Sequence, residues 1–519
     1  MLHDMIAKEW TYDMFLNELV KEHGDKEALW FKGDSVTFRE LRDAGNAYAA
    51  FLMEKGVKPG DMVALWGFNS INWLVAYYGI IKSGAVAVLI NYGATEDNVC
   101  DLSELCDVKY IISGKTALTK TDPDIVNKIG ARLGIGDDHL LFLDMDVHKL
   151  AAEKIDTAFP ENDSRRSAVI LFTTGTTSMP KAVMVSQRAL LNQVAFDHQL
   201  QGEGMLKGKA LLALPLFHSF GILMSHIYMA TGTPVCLLEE IKIPKILDTV
   251  YDQKVTDMAG VPTIYLGMME LEDFKTKSQS LRGLGTMGGG MLLPENFIKM
   301  TEAYNGACFC QGYGQTEAAP IITTCIPADS MEKRMTTIGK ALPYNQVELM
   351  SPDGTLLAAN ETGEIVFKGI SLMNGYYKLT RENQPIDAEG WLHTGDLGFK
   401  DDEGYVHITG RLKDVIIRKG ENIAPTEVEG EIIKIPGIMD AKVMGVPHKK
   451  WGESVEACVV LNEGAEVDFD EVKTILRDRL AHYKVPDHFF VYDKFPVNTN
   501  GKLDQKTLKA DLYKKMGVD

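Results

Sequence analysis

Apolar and polar positions divide this chain into two textures: long apolar strand-helix rhythms first, then short alternating strands from about residue 346. Thr37-Phe38-Arg39-Glu40 has capping-box spacing and opens an amphipathic helix lasting to about Lys55, ahead of the turn at 56–60. Residues 61–67 read as a strand, 70–83 as a largely apolar helix and 85–90 as a second buried strand. That β-α-β unit predicts a parallel sheet with helices on its faces. The rhythm recurs in apolar strands at 168–172, 210–216, 235–238, 257–259 and 307–310.

From residue 346 the runs VELMSPDG, GEIVFKG and GYVHITG alternate with Asp-Gly and Glu-Gly turns, which predicts a small β subdomain. Beyond Arg411 the pattern gives a strand at 415–418, an amphipathic helix near 425–433, strands near 441–445 and 456–461, and a helix over 470–483. The expected architecture is α/β: a large N-terminal domain of parallel-rich sheets with flanking helices plus a β subdomain (1–410), and a small α+β C-terminal domain (411–519). No internal repeat or low-complexity segment interrupts it.

Length sharpens this picture, because 519 residues exceed what one core usually serves. With 45% hydrophobic and 24% charged residues the composition is that of an ordinary globular protein, and the net charge of −18 argues against nucleic acid or anionic membrane as a partner. Residues 210–238 carry no Asp, Glu, Lys or Arg and could span a bilayer by length, but Pro215, Gly221, Gly232, Pro234 and two histidines break the run. A buried strand-helix-strand unit is the reading adopted. The N-terminus, with Asp4, Lys8 and Glu9, lacks the apolar run of a signal peptide. Seven cysteines, of which only Cys308 and Cys310 are close in sequence, read as core thiols in a reduced, cytoplasmic protein.

Candidate chemistry concentrates in glycine-rich polar segments that follow predicted strands. FTTGTTSMPKA (172–182) joins hydroxyls, Gly175 and Lys181 in one loop suited to phosphates, although Pro180 before Lys181 and Ala182 after it exclude Walker spacing. GTMGGGMLLPE places three glycines at 288–290, where backbone can approach a flat group or simply turn. QGYGQTE offers the aromatic Tyr313, the hydroxyl of Thr316 and the carboxylate of Glu317. WLHTGDLG sets Asp396 in an expected tight turn, where it either accepts ribose hydroxyls or caps its own turn.

FTTGTTSMPKA, PLFHSFG, GYGQTE, WLHTGDLG, GRLKD and NGKLDQKTL, in this order, resemble the motifs of the acyl-adenylate-forming superfamily, in its acyl-CoA synthetase branch. The resemblance implies a large N-terminal domain and a small mobile C-terminal one. It implies that Thr173, Thr174, Gly175, Thr176, Thr177 and Lys181 hold the ATP phosphates. Gly288, Gly289, Gly290, Gly312 and Tyr313 would bracket adenine, with Asp396 and Arg411 on the ribose. It gives Glu317 a magnesium ion, Thr316 the α-phosphate, and Lys502 a bridge between substrate carboxylate and α-phosphate. His218 would stand where the acid pocket meets the thiol tunnel, Lys413 at the hinge, and Lys419 and Gly420 on the pantetheine path. ATP and CoA would be co-substrates and magnesium the cofactor.

The chain departs from that pattern in places: Ser178 and Ala182 replace common glycines, and Gln187 replaces a frequent histidine. Gly314 stands where acetate-specific relatives carry a pocket-closing tryptophan, so a longer or bulkier acid is expected. His218 stands where amino-acid-activating domains carry an aspartate, which disfavours an amino acid. With Phe220 and Gly314, His218 would line the acid pocket. The resemblance implies ATP-dependent activation of a medium- or long-chain, or aryl, monocarboxylic acid and transfer to CoA, releasing AMP and pyrophosphate. A stand-alone enzyme loading a carrier-protein phosphopantetheine and a non-catalytic nucleotide-binding homologue are the alternatives.

Overall fold

A computed structural model describes residues 9–114, 124–173, 180–201, 208–288, 292, 294–304, 306–497 and 503–518, with backbone alone at 196–201 and 422. Thr174, Gly175, Thr176, Thr177, Gly289, Gly290 and Lys502 therefore lie outside the described residues. The chain packs as two units: Met1–Val347 with Phe367–Leu392, and Glu348–Val366 with His393–Asp519. The boundary expected at Arg411 falls inside the second unit.

The first unit holds two large sheets. One orders Gly375–Tyr376, Lys181–Ser186, Ser167–Thr173, Val86–Ile90, Met62–Trp66, Val108–Ser113 and Leu140–Phe142 side by side. From Ser167–Thr173 onward its neighbours are parallel, whereas the first two strands join antiparallel. The other sheet has a parallel centre of Cys308–Gly314, Leu284–Met287, Val255–Gly260, Lys209–Leu212, Val235–Leu237 and Glu27–Phe31, with antiparallel edges.

Local chemistry explains several boundaries. The Phe38–Glu54 helix starts with the expected reciprocal cap: Glu40 N donates to Thr37 Oγ1 at 3.1 Å, and Thr37 N donates to Glu40 Oε2 at 2.8 Å. Ser70 caps Ile71–Lys82, a helix buried along almost its whole circumference. The uncharged 210–238 segment forms strand, helix and strand, as expected, and its helix Ser219–Ala230 is apolar all round because nearly every residue of it is buried. No helix among the described residues is long and apolar enough to cross a membrane. Beside this helix sits a buried polar cluster. His226 Nδ1 donates to Ile222 O at 2.6 Å, leaving Nε2 to accept from the Tyr78 hydroxyl at 3.1 Å, and the hydroxyls of Tyr12 and Tyr77 pair at 2.9 Å.

The alternating strands predicted after residue 346, Asn345–Met350, Gly363–Gly369, Leu392–Lys400 and Val406–Arg411, form the four-stranded sheet of the subdomain, and most of their residues belong to the second unit. Further on, Glu421–Ile423, Ile416–Arg418, Gly452–Leu461 and Ile438–His448 make another sheet, to which His488–Tyr492 adds in parallel. The helix Pro425–Ile433 matches expectation. The helix expected over 470–483 is shorter, Phe469–Arg479, and a single 3₁₀ turn follows at His482–Lys484. The helix stops because Leu480 turns extended, at φ −123° and ψ 153°; Pro486 restricts only Val485, which ends the later 3₁₀ turn. Leu480 remains in the core with Val472 and Leu476, and Tyr483 packs against it without continuing the helix.

Candidate functional site

In parallel sheets the loops that leave the carboxyl ends of strands gather at one edge, and the first unit's candidate residues follow that rule. Thr173 ends its strand, Gly288 follows Leu284–Met287, and His218 follows Lys209–Leu212. The strand expected to stop at 310 runs on to Gly314, so Gly312, Tyr313 and Gly314 belong to the strand itself. Thr316 and Glu317 form the next 3₁₀ turn and are both buried.

That turn is held from below by a residue the sequence reading missed. Gln193, fully buried on Gln187–Gln201, donates through Nε2 to Ala318 O at 2.6 Å and to Ile321 O at 2.7 Å, and its Oε1 accepts from Ile321 N at 3.0 Å. Asn69 does the same for the PLFHSFG segment, donating to Leu214 O and accepting from Leu216 N. The two segments meet where Ser219 Oγ and Thr316 Oγ1 lie 3.5 Å apart. His218 itself caps the Ser219–Ala230 helix without a side-chain bond to it, and its ring neighbours Phe217.

Glu317 is the centre of the arrangement. Its Oε1 accepts a hydrogen bond from the Tyr376 hydroxyl at 2.8 Å and faces Thr173 Oγ1 at 3.5 Å, while its backbone carbonyl accepts from Met373 N. Tyr376 was not foreseen either. It sits on the two-residue strand Gly375–Tyr376 against Lys181–Ser186, its N–H donates to Gln384 Oε1, and the Lys181 ammonium lies 4.9 Å from its ring centroid. Thr173 and Lys181 are themselves paired across adjacent strands. Burial, then the negative charge of Glu317, raises the Tyr376 phenol, so it stays a proton donor to the carboxylate. The only sequence signal was an aromatic pair, Tyr376-Tyr377, after a glycine.

Glycines separate into those made necessary by space and those made necessary by conformation. A Cβ on Gly288 would come within 3.1 Å of the Phe220 ring, so this glycine and that phenylalanine pack together. Gly314 corrects its reading: a Cβ there would lie 1.8 Å from the Pro320 carbonyl oxygen. Close backbone approach demands glycine at 314, so its lack of a side chain carries no information about acid length.

The second unit brings Asp396 and Arg411 together. Asp396 lies in the strand Leu392–Lys400, not in the tight turn expected, directly opposite Arg411 in register. The turn signal came from Gly395, which has φ +73° within the strand. Arg411 Nε approaches Asp396 Oδ1 at 3.1 Å, with the carboxylate side chain buried and the guanidinium mostly exposed. Lys413 lies in the exposed 3₁₀ turn Leu412–Asp414. Lys419 and Gly420 are the central residues of the hairpin between Ile416–Arg418 and Glu421–Ile423, with φ +56° and +85°. Trp451 supports this turn: its carbonyl accepts from Lys419 N at 2.7 Å, and its ring is stacked on His448 at 4.1 Å and lies under Lys419 and Arg418.

A buried, hydroxyl-held carboxylate beside a lysine and two threonines suits a metal-bound polyphosphate more than it suits proton transfer. Mg²⁺ prefers one or two carboxylates, substrate phosphates and retained waters, so a single oriented Glu317 fits it. No group of three metal-ligating side chains occurs among the described residues.

The family model "AMP-binding enzyme" matches residues 16–377, and "AMP-binding enzyme C-terminal domain" matches 427–502. The putative acyl-CoA synthetase YngI of Bacillus subtilis is 30% identical, covering 96% of each chain. A Rhodococcus jostii ligase, 3-[(3aS,4S,7aS)-7a-methyl-1,5-dioxo-octahydro-1H-inden-4-yl]propanoyl:CoA ligase, is 31% identical over 98% of this chain and 100% of its own. The o-succinylbenzoate CoA synthetase of Bacillus subtilis, solved with its acyl-adenylate intermediate, superposes with TM-score 0.80 at 28% identity, covering 95% of this chain and 97% of that one. With its α/β fold and both family models matched in order, the chain belongs to the AMP-binding enzymes, the acyl-adenylate-forming superfamily that its motifs resemble.

Proposed function

We propose that this protein activates a bulky or long monocarboxylic acid with ATP and transfers the acyl group to CoA. The observation that carries the proposal is the buried Glu317–Tyr376 pair, with Thr173 at the carboxyl end of its strand and Lys181 opening the antiparallel neighbour beside it. A carboxylate is a poor acyl donor; attack of its oxygen on the α-phosphorus forms a mixed anhydride and expels pyrophosphate. The barrier is largely charge, since an anion approaches a polyanion, so catalysis rests on positioning and neutralisation.

Each residue then has a defined task. Thr173, Lys181 and the intervening loop hold the pyrophosphate end. Glu317, oriented by the Tyr376 hydroxyl, would hold Mg²⁺, which supplies charge neutralisation at the phosphates; the o-succinylbenzoate synthetase has also been solved with ATP and a magnesium ion. Thr316 donates to the α-phosphate, Gly288, Gly312 and Tyr313 flank adenine, and Asp396 with Arg411 holds the ribose. Lys502 bridges the acid and the α-phosphate. His218 and Phe220 bound the acid, and a relative that acts on a fused-ring propanoyl substrate supports a roomy pocket.

The second half-reaction uses the 411–519 segment turning about Lys413, which withdraws Lys502 and presents the Lys419-Gly420 turn to pantetheine. CoA is favoured over a carrier protein because the turn adjoins a cationic aromatic patch, His448, Lys449, Lys450 and Trp451, suited to a phosphorylated nucleotide. The test is AMP and pyrophosphate release across a panel of aliphatic and aryl acids, with and without CoA. Absence of acid-dependent ATP–pyrophosphate exchange with every acid would refute adenylation. Lys502→Ala should abolish exchange yet still convert supplied acyl adenylate to thioester, and equal loss of both steps would refute the two-conformation scheme.

A further inference from the structure

The C-x-C pair, read from sequence as core thiols, is not uniform. Of the seven cysteines six are buried, and Cys308 alone reaches solvent in part. Arg334 Nη1 lies 3.2 Å from Cys308 Sγ and also donates to Phe309 O at 2.9 Å, so the guanidinium is fixed against the sulfur. Arg334 Nε donates to Asp329 O, which anchors the other side of the group. A hydrogen bond from Cys310, opposed by burial and reinforced by the Arg334 charge, holds the Cys308 thiol below its ordinary range. Burial pushes the thiols of Cys106 and Cys236 up to about 12, and those of Cys325 and Cys458 up to about 11. Reactivity follows thiolate content and access, and at this one position both are present.

We propose that Cys308 is a hydroperoxide-sensitive modification site, with Cys310 as its resolving thiol. The two residues lie on one face of the Cys308–Gly314 strand, two apart, a spacing of about 6.6 Å between Cα atoms. A disulfide also needs its Cβ atoms about 3.5–4.5 Å apart, and same-face Cβ atoms two apart on an extended strand are about as far apart as their Cα atoms, so the bridge closes only with a local contraction of the strand of about 2–3 Å. The Cys308 thiolate attacks one peroxide oxygen, forming an S–O bond as the O–O bond breaks; the leaving hydroxide is protonated to water, and sulfur is oxidised by two electrons to a sulfenic acid. The Cys310 sulfur, losing its proton, then attacks the sulfenic sulfur and a second water leaves.

The contraction acts on the strand that supplies the adenine flank. Gln311, between the thiols and Gly312, is tied through its side chain to Leu292 N and Arg334 O and through its carbonyl to Cys325 N. Pulling on it shifts Gly312 and Tyr313. The thiol chemistry is independent of the proposed function, while its effect on ATP use rests on that reading.

The test uses the full-length protein. Iodoacetamide at neutral pH should alkylate Cys308 about tenfold faster than any other cysteine, and Arg334→Gln should slow it. With Cys325→Ala, the tryptic peptide 300–333 contains only Cys308 and Cys310; hydrogen peroxide should lower its mass by two hydrogens, reversed by dithiothreitol. Dimedone should trap the sulfenic acid at Cys308 in Cys310→Ser. Pyrophosphate exchange should fall on the order of tenfold on oxidation and recover on reduction, and Cys308→Ser should be insensitive. Faster labelling of another cysteine, sulfinic acid at Cys308 without a bridge, or reversible inactivation persisting in Cys308→Ser would each overturn the proposal. A reversible bridge that leaves exchange unchanged would establish the modification and overturn its coupling to the adenine strand.

Discussion

Replacing Gln193 by methionine isolates the contribution of one buried side chain to the geometry of the Thr316–Glu317 turn. Methionine nearly matches glutamine in length and volume, so the change removes hydrogen bonds without opening a cavity. Three backbone groups lose their partner: the carbonyls of Ala318 and Ile321, bonded at 2.6 and 2.7 Å, and the N–H of Ile321, bonded at 3.0 Å. Each orphaned buried group costs about 1–3 kcal/mol, and partial relaxation brings the expected total to about 4 kcal/mol. For a unit of this size that lowers the melting midpoint by about 5 °C. Because the released segment carries Thr316 and Glu317, acid-dependent pyrophosphate exchange should fall on the order of 10- to 100-fold. Differential scanning calorimetry and an exchange assay on the same preparation read both quantities. A midpoint within about 1 °C of wild type, with unchanged exchange, would refute the claim that this side chain holds the turn.

Tyr376→Phe keeps the ring beneath Lys181 but removes the 2.8 Å bond to Glu317, a charge-assisted contact of about 1.5–3 kcal/mol; the Mg²⁺ concentration for half-maximal exchange should rise about tenfold or more, which a metal titration reads. Gly314→Ala places a Cβ against the Pro320 carbonyl, so it should destabilise the protein by about 3 kcal/mol or more and depress turnover with acids of every length; a pure shift in chain-length preference would restore the pocket-wall reading. Burial, partly offset by the Ile222 bond, lowers His226 from 6.5 to about 4. The unfolded chain therefore binds the extra proton first, and stability falls as pH drops from 6.5 towards 4, by about 3 kcal/mol from this residue. Chemical denaturation across that window should show a shallower slope for His226→Gln.

Much of the fold was legible because its signals are local. Capping at Thr37 and Ser70, the strand-helix-strand division of 210–238, and the alternating strands after 346 all depend on residues close in sequence. The helix end at Arg479, where Leu480 turns extended into the core, and the strand position of Asp396, paired with Arg411, were misread because tertiary packing and pairing outweigh the local pattern. Gln193 and Tyr376 were invisible for a different reason. A glutamine in a helix and a tyrosine after a glycine look ordinary until residues 125 and 59 positions away are brought against them.

By itself the sequence determined the family, the order of the motifs and the chemical types available to ATP and an acid, since these reside in contiguous residues. Only the tertiary structure decided which groups hold Glu317, that Gly314 answers to a backbone contact, and that Arg334 stands over Cys308. Those facts depend on distances between remote segments, set by how strands stack and helices pack, and no local pattern encodes them.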